Sequence, residues 1–246
     1  MSREILKITG EDREHFLQGL VSNDVTRLKH GLVYTAMLTP QGKYIADFFL
    51  VPAGDAILLD VDARLAQMLM QRLTMYKLRS KVSLEPAGLC LHRGLGAVPE
   101  GAFADPRHEA LGWRAYREDP QGEDKTDWDA LRIALGVPET GTELTPDSFI
   151  LEMGFERLNG VDFKKGCYVG QEVTARMKHK TELRKGLARV EGEAPLTEGA
   201  EIVSGGKAAG TVLSVAGTTA LAYLRFDRTE AGLEAEGQSL SFERLD

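Results

Sequence analysis

The apolar positions of this chain change period several times, and each change marks an expected element. Residues 4–9 read as a short strand, and Thr9 followed three residues later by Asp12 marks a helix start leading to Phe16, Leu17 and Leu20. Ser22-Asn23-Asp24 ends that helix. Apolar runs at 34–38 and 45–51 flank Pro40-Gln41-Gly42-Lys43, which predicts a hairpin with a glycine-containing turn. Residues 56–61 are strand-like, Asp62 is placed to cap the next segment, and Leu65, Met68, Leu69 and Leu73 have helical spacing. The alternation of Leu78, Ser80, Val82 and Leu84 predicts a strand over 76–84. Cys90 alternates with Leu89 and Leu91 as a buried strand residue would. A helix opens at Thr126 or Asp127, runs through Trp128, Leu131, Ile133 and Leu135, and stops at Gly136 with Pro138 beyond; the acidic stretch before it reads as a surface loop.

After Leu183 the texture shifts to short apolar runs separated by glycine, with strands expected near 187–190, 201–203, 210–215 and 219–224. That spacing predicts a small antiparallel barrel or sandwich, with a domain boundary close to Leu183. Strand, helix, strand order in the first part suits an α+β class.

The 246 residues, 43% of them hydrophobic, suffice for a sizeable core. No stretch approaches the roughly 20 apolar residues of a bilayer span, so a cytoplasmic address and no membrane partner are expected. The net charge of −7 argues against general DNA binding, yet residues 164–185 hold seven Lys/Arg against two Glu, a local +5. That stretch reads as an anion site or as a solvated helix face, with RNA association a weaker alternative. Cys90 and Cys167 are far apart, and neither they nor the five dispersed histidines have metal-ligand spacing, so no metal site is expected and a cluster would need ligands from elsewhere.

The densest chemistry lies at Lys164-Lys165-Gly166-Cys167-Tyr168-Val169-Gly170-Gln171-Glu172. Gly166 and Gly170 allow sharp turns, and Gln171 onward reads as helix. Cys167 is thereby expected near a helix N-terminus and beside ammonium groups, both of which favour thiolate. This is the pattern of a reactive or metal-touching thiol. A small buried cysteine beside a turn is the competing reading.

The nonapeptide resembles the signature of the YgfZ-type folate-binding proteins, relatives of the glycine-cleavage T-protein (GcvT). Similar stretches recur in order: 16–25, 38–47, 78–82, Asp105-Pro106-Arg107 with Leu111-Gly112-Trp113-Arg114, and 151–155. The resemblance implies a three-lobed T-protein-like α+β fold with a C-terminal antiparallel β-barrel. Its lobes would be 1–45 with 106–182 (folate-binding), 46–105 (inserted) and 183–246 (barrel). It implies a tetrahydrofolate ligand, in free, one-carbon-substituted or polyglutamylated form. The implied function is an accessory role in iron–sulfur cluster assembly or repair, with assembly factors or client enzymes as transient partners and Cys167 as the functional thiol. The alternative is an aminomethyltransferase of the T-protein kind; an accessory protein would carry no classical catalysis.

A pterin pocket needs a flat wall and a carboxylate against the ring edge. Glu152, in the apolar run 149–153, matches the family's pterin-binding glutamate by chain order. Asp47 lies where T-proteins carry an acidic pair used in aminomethyl transfer, but Ala46 stands where one member aligns, which counts against transferase chemistry. Asn23 and Asp24 gain weight from family position beyond their turn-forming role. Arg79 is a candidate partner for a glutamyl carboxylate, as are Lys164 and Lys165. Tyr168 and Trp113 are candidate stacking groups, Trp113 reading first as core, and Gln171 and Glu172 are placed for ligand contact or helix capping.

Overall fold

The computed structural model describes residues 2–179 and 182–245. The chain forms two compact units, Met1–Thr126 with Leu158–Gln171, and Asp127–Arg157 with Glu172–Asp246.

The first unit is built on a five-stranded sheet of β1 (Arg3–Thr9), β2 (Val33–Leu38), β3 (Tyr44–Ala53), β4 (Ala56–Asp62) and β5 (Ser83–Pro86), in the order β2-β3-β4-β1-β5. β2 and β3 form the expected hairpin. β2 and β4 are buried along their whole length, so they read as near-continuous apolar runs. Two helices, α1 (Arg13–Gln18) and α2 (Ala63–Lys77), contribute Phe16, Leu17, Leu69 and Leu73 to the core. Asp62 caps α2 as its position predicts, accepting from the Arg64 N–H at 2.8 Å. Asp12 precedes α1 but spends its carboxylate on the Lys81 N–H at 2.7 Å instead of capping.

The strand expected over 76–84 is corrected. α2 continues to Lys77, Leu78 turns the chain with φ 45° and is 88% exposed, and only Ser83–Pro86 pairs with β1. Alternation from Leu78 to Leu84 was the misleading signal, because Val82 is buried while Leu78 faces solvent. A second, three-stranded sheet joins β6 (Cys90–Gly94), β7 (Phe103–Ala104) and β8 (Trp113–Arg117) in the order β6-β8-β7. Cys90 lies on a strand as expected, but is half-buried rather than core. Trp113 packs against Gly94, where an added Cβ would lie 2.5 Å from the indole.

In the second unit, Asp127 caps α3 (Trp128–Ala134) by accepting from the Ala130 N–H, and Gly136 leaves the helix at φ 68°. α4 (Gln171–His179) begins where expected. Beyond it, β9 (Lys185–Glu191), β10 (Glu201–Ser204), β11 (Lys207–Ala216), β12 (Thr219–Arg225), β13 (Leu233–Ala235) and β14 (Gln238–Arg244) close a barrel in the order β10-β11-β12-β9-β14-β13. Every adjacent pairing is antiparallel, and Val190, Ile202, Val212, Ala222 and Leu224 fill the interior. The glycine-punctuated texture after Leu183 is therefore a closed barrel, one of the two architectures that its spacing allows.

Candidate functional site

The cysteine signature folds as a braced loop ahead of α4. Asp162 accepts from the N–H groups of Lys164 (2.7 Å) and Lys165 (3.2 Å), and its other oxygen accepts from Arg27 at 2.5 Å. The Lys165 ammonium then donates to three carbonyls, Gln18 (2.8 Å), Val21 (2.5 Å) and Asn23 (3.0 Å), with its Nζ 4.9 Å from the centre of the Tyr168 ring. Burial pushes this ammonium down to about 8, while the charges of Asp24 and Asp162 act to hold it up. Tyr168 is buried, Val169 donates to the Gly19 carbonyl, and Gly170, at φ 86°, sits so close to the β2–β3 turn that a Cβ would meet the Thr39 carbonyl at 2.6 Å.

Between these anchors Gly166 and Cys167 are exposed. Cys167 is thus not a core cysteine but a free, exposed thiol on a loop braced on both sides, four residues before the start of α4. The two glycines differ in purpose. Gly170 has the positive φ and the close approach; around Gly166 there is open space. Lys165, expected as a ligand or thiol-activating cation, is committed to backbone carbonyls, whereas Lys164 is exposed.

Asn23 is a buried bolt. Its amide donates to the carbonyls of Tyr34 (2.8 Å) and Asn159 (2.7 Å), and its oxygen accepts from the Asp24 N–H. Asp24 caps the short 3₁₀ helix Val25–His30 through the Thr26 N–H and also accepts from Gln18. Partial burial raises the Asp24 carboxyl, but the Thr26 and Gln18 bonds and the Lys165 charge outweigh it and leave it lowered.

Asp47 is buried on β3 between two phenols, accepting from Tyr44 at 2.7 Å and from Tyr34 at 3.0 Å. Burial, followed by the negative charge of Asp47, raises Tyr34 well above the ordinary phenol range, so Tyr34 remains a donor. In the second unit Glu152 is 6% exposed, on a turn. Its Oε2 accepts from Tyr223 on β12 at 2.6 Å, and Lys185 lies 4.0 Å away. Burial and the Glu152 bond raise the Tyr223 phenol in turn. Leu187 donates to the Glu152 carbonyl at 2.6 Å, fixing the turn against β9. The two carboxylates therefore share one construction, a buried acid held by tyrosine hydroxyls. Tyr34, Tyr44, Tyr223 and Asp162 are the supporting residues that sequence reasoning missed: Tyr34 and Tyr223 meet their carboxylates from other elements, Asp162 reaches Arg27 135 positions away, and Tyr44, on the same strand as Asp47, carries no periodic signal of the bond.

Arg79 is exposed on the turn after α2. Gln171 donates its N–H to the Tyr168 carbonyl, and Glu172 is exposed and pairs with Arg176 one turn on at 2.9 Å. Lys180, within the basic 164–185 stretch, lies outside the described residues. The stretches Asp105-Pro106-Arg107 and Leu111-Gly112-Trp113-Arg114 resolve into a buried charge cluster: Arg107 grips Asp105 with both fork nitrogens, and Arg114 and Arg3 grip Asp60. All three guanidiniums lie over the Phe49 ring, Arg114 nearest at 4.1 Å. Among the described residues no group of three or more His, Cys, Asp or Glu is arranged to hold a metal.

Comparison with known proteins sets this geometry in a family. Residues 184–246 match the model described as CAF17, C-terminal beta-barrel domain. The crystal structure of the glycine cleavage system aminomethyltransferase T from Bartonella henselae superposes with a TM-score of 0.78 over 97% of this chain and 82% of that one, at 15% identity. The T-protein-like fold expected from the sequence is thereby shown. Among relatives by sequence, the iron-sulfur cluster assembly factor IBA57 homolog of Mycosarcoma maydis is 33% identical over 74% of this chain, which spans only 54% of that protein's length. The human IBA57 is 32% identical over 88% of this chain and 70% of its own. These relatives are named mitochondrial, which overturns the cytoplasmic expectation. That expectation was a default from the absence of an apolar span, and such an absence carries no information on compartment. With 30% identity to the mouse protein over 94% of this chain and 78% of the relative, the chain belongs to the IBA57 family of iron-sulfur cluster assembly factors.

Proposed function

We propose that this protein is a tetrahydrofolate-binding accessory factor of iron–sulfur cluster assembly or repair, of the YgfZ type, in which Cys167 is the thiol offered to a cluster, a sulfur or a partner's thiol. The names of its relatives support the class of process. The observation that carries the site is the presentation of Cys167: an exposed thiol on a loop anchored on both sides by Lys165, Asp162, Tyr168 and Gly170. A thiolate is a ligand and a nucleophile, and one cysteine leaves the remaining ligands to a partner, so the factor acts on a cluster in passage. Assembly factors or client enzymes are the transient partners.

Glu152 and Asp47 each fit the needs of a reduced pterin. Both are buried carboxylates, and Glu152 takes the Tyr223 phenol on Oε2, which leaves Oε1 as an acceptor for ring-edge N–H donors. Tetrahydrofolate would supply a reduced ring and a one-carbon carrier. The chain's own part is to orient it and to adjust how Cys167 is offered.

The decisive experiment measures several iron–sulfur enzymes under oxidative stress in a strain lacking this gene, complemented with wild type or Cys167→Ala. Wild-type rescue that the variant cannot match is expected. Full rescue by the variant overturns the role of Cys167, and turnover with an aminomethyl-lipoyl donor would replace the proposal with a transferase.

A further inference from the structure

The first unit contains a cleft of about 810 Å³ beside the bracing contacts of Asp24, Arg27 and Asn159, and Cys167, Asp47 and Glu152 do not line it. One wall is the last turn of the 3₁₀ helix, which carries Arg27, Lys29 and His30; the other includes Phe103 and Ala104 of β7. Its volume lies within the roughly 300–1,000 Å³ of sites that hold ligands.

Three features narrow what it would hold. The protein as a whole carries −7, yet the charged residues that line this cleft are Arg27 and Lys29 against Asp24, an excess of one positive charge before His30 is counted. The Asp24 carboxylate that also lines the cleft is already taken up by Thr26 and Gln18. Arg27 is held by Asp162 through one nitrogen and keeps about half its side-chain surface (52%) exposed, so its orientation is set before anything binds. Finally, β7 is the edge of its sheet, with β8 on one side only. An edge strand offers backbone donors and acceptors to an added strand.

We propose that this cleft is a docking site for a short acidic segment of a partner protein, bound extended along β7 with its carboxylates toward Arg27 and Lys29. The edge of β7 supplies main-chain pairing, and the basic wall selects acidic side chains while the rest of the surface repels an acidic partner elsewhere. A small anion would use the basic wall but gain nothing from the strand edge. The inference does not depend on the role of Cys167: the cleft holds or fails by its own contacts.

The test is fluorescence anisotropy of a labelled peptide alternating glutamate and valine, titrated with the full chain at low and high salt. Hydrogen exchange is followed at Phe103 and Ala104 in the same samples. Saturable binding that weakens with salt, slowed exchange at Ala104, and about tenfold weaker binding in Lys29→Glu and in His30→Glu are expected. Both positions are on the surface of the cleft, so folding is retained and checked by circular dichroism. Equal binding of the lysine-valine counterpart overturns the proposal. So does full displacement by inorganic pyrophosphate at matching concentration, or binding without slowed exchange at β7.

Discussion

Replacing Lys165 by methionine keeps the length and apolar stem of the side chain and removes its charge and three donors. The lost bonds run to the carbonyls of Gln18, Val21 and Asn23 at 2.8, 2.5 and 3.0 Å. A hydrogen bond to a charged group contributes about 1.5–3 kcal/mol, so three would sum to about 5–9 kcal/mol before offsets. Against this stands the burial of the ammonium, which depresses it to about 8, so a net loss of about 3 kcal/mol is expected. In urea, with a slope of roughly 2–3 kcal/mol/M, the midpoint of the first unit should fall by about 1–1.5 M. Locally, the same loss should speed amide exchange across residues 163–170 by about 100-fold, because every 1.4 kcal/mol is tenfold. A change under about 1 kcal/mol, with exchange in the loop unaltered, would refute the idea that this lysine braces the Cys167 loop; water would then be satisfying the carbonyls.

Gly170→Ala should destabilise by about 2–4 kcal/mol, since the new Cβ meets the Thr39 carbonyl at 2.6 Å in a positive-φ position, whereas Gly166→Ala, in open space, should stay within about 0.5 kcal/mol; equal denaturation midpoints for the two would contradict this. Burial raises the Asp60 carboxyl, but Arg114 and Arg3 overcome it and hold it at about 2 against the ordinary 3.8. A depressed folded value stabilises above the unfolded one, so about 2 kcal/mol should vanish as pH falls from about 4 to 2, and a wild-type acid limb no steeper than that of Asp60→Asn would exclude it. Tyr223→Phe leaves Glu152 without its 2.6 Å donor, so a loss of about 1–3 kcal/mol in barrel stability is expected, together with altered tetrahydrofolate affinity by calorimetry. An unchanged thermal midpoint and unchanged affinity would separate Glu152 from the pocket.

Much of the fold was legible because its signals are local. The β2–β3 hairpin follows from two apolar runs around a glycine turn, α3 from a capping aspartate and a terminal glycine, and the strands of the C-terminal barrel from glycine-spaced apolar runs. The failure at 76–84 shows the limit of such signals. Period-2 alternation there competed with the helical period of α2, and which apolar residue was buried depended on the neighbouring sheet. β7 and β8 escaped notice because the residues that define them, Arg114 among them, answer to a buried charge cluster rather than to an apolar period.

Local patterning along the chain dictates the mixed α+β class and an all-β C-terminal segment, barrel or sandwich, since turn glycines, capping residues and apolar spacing act over a few positions. Tertiary packing makes Lys165 a brace for the loop, makes Gly170 rather than Gly166 sterically required, and buries Asp47 and Glu152 as carboxylates clamped by tyrosines. For Lys165 and Glu152 the partners are far apart in the chain: 142 positions separate Lys165 from Asn23 and 71 separate Glu152 from Tyr223. A contact of that span leaves no periodic trace in the sequence, because its energy is realised only when folding brings the two segments within a hydrogen bond of each other.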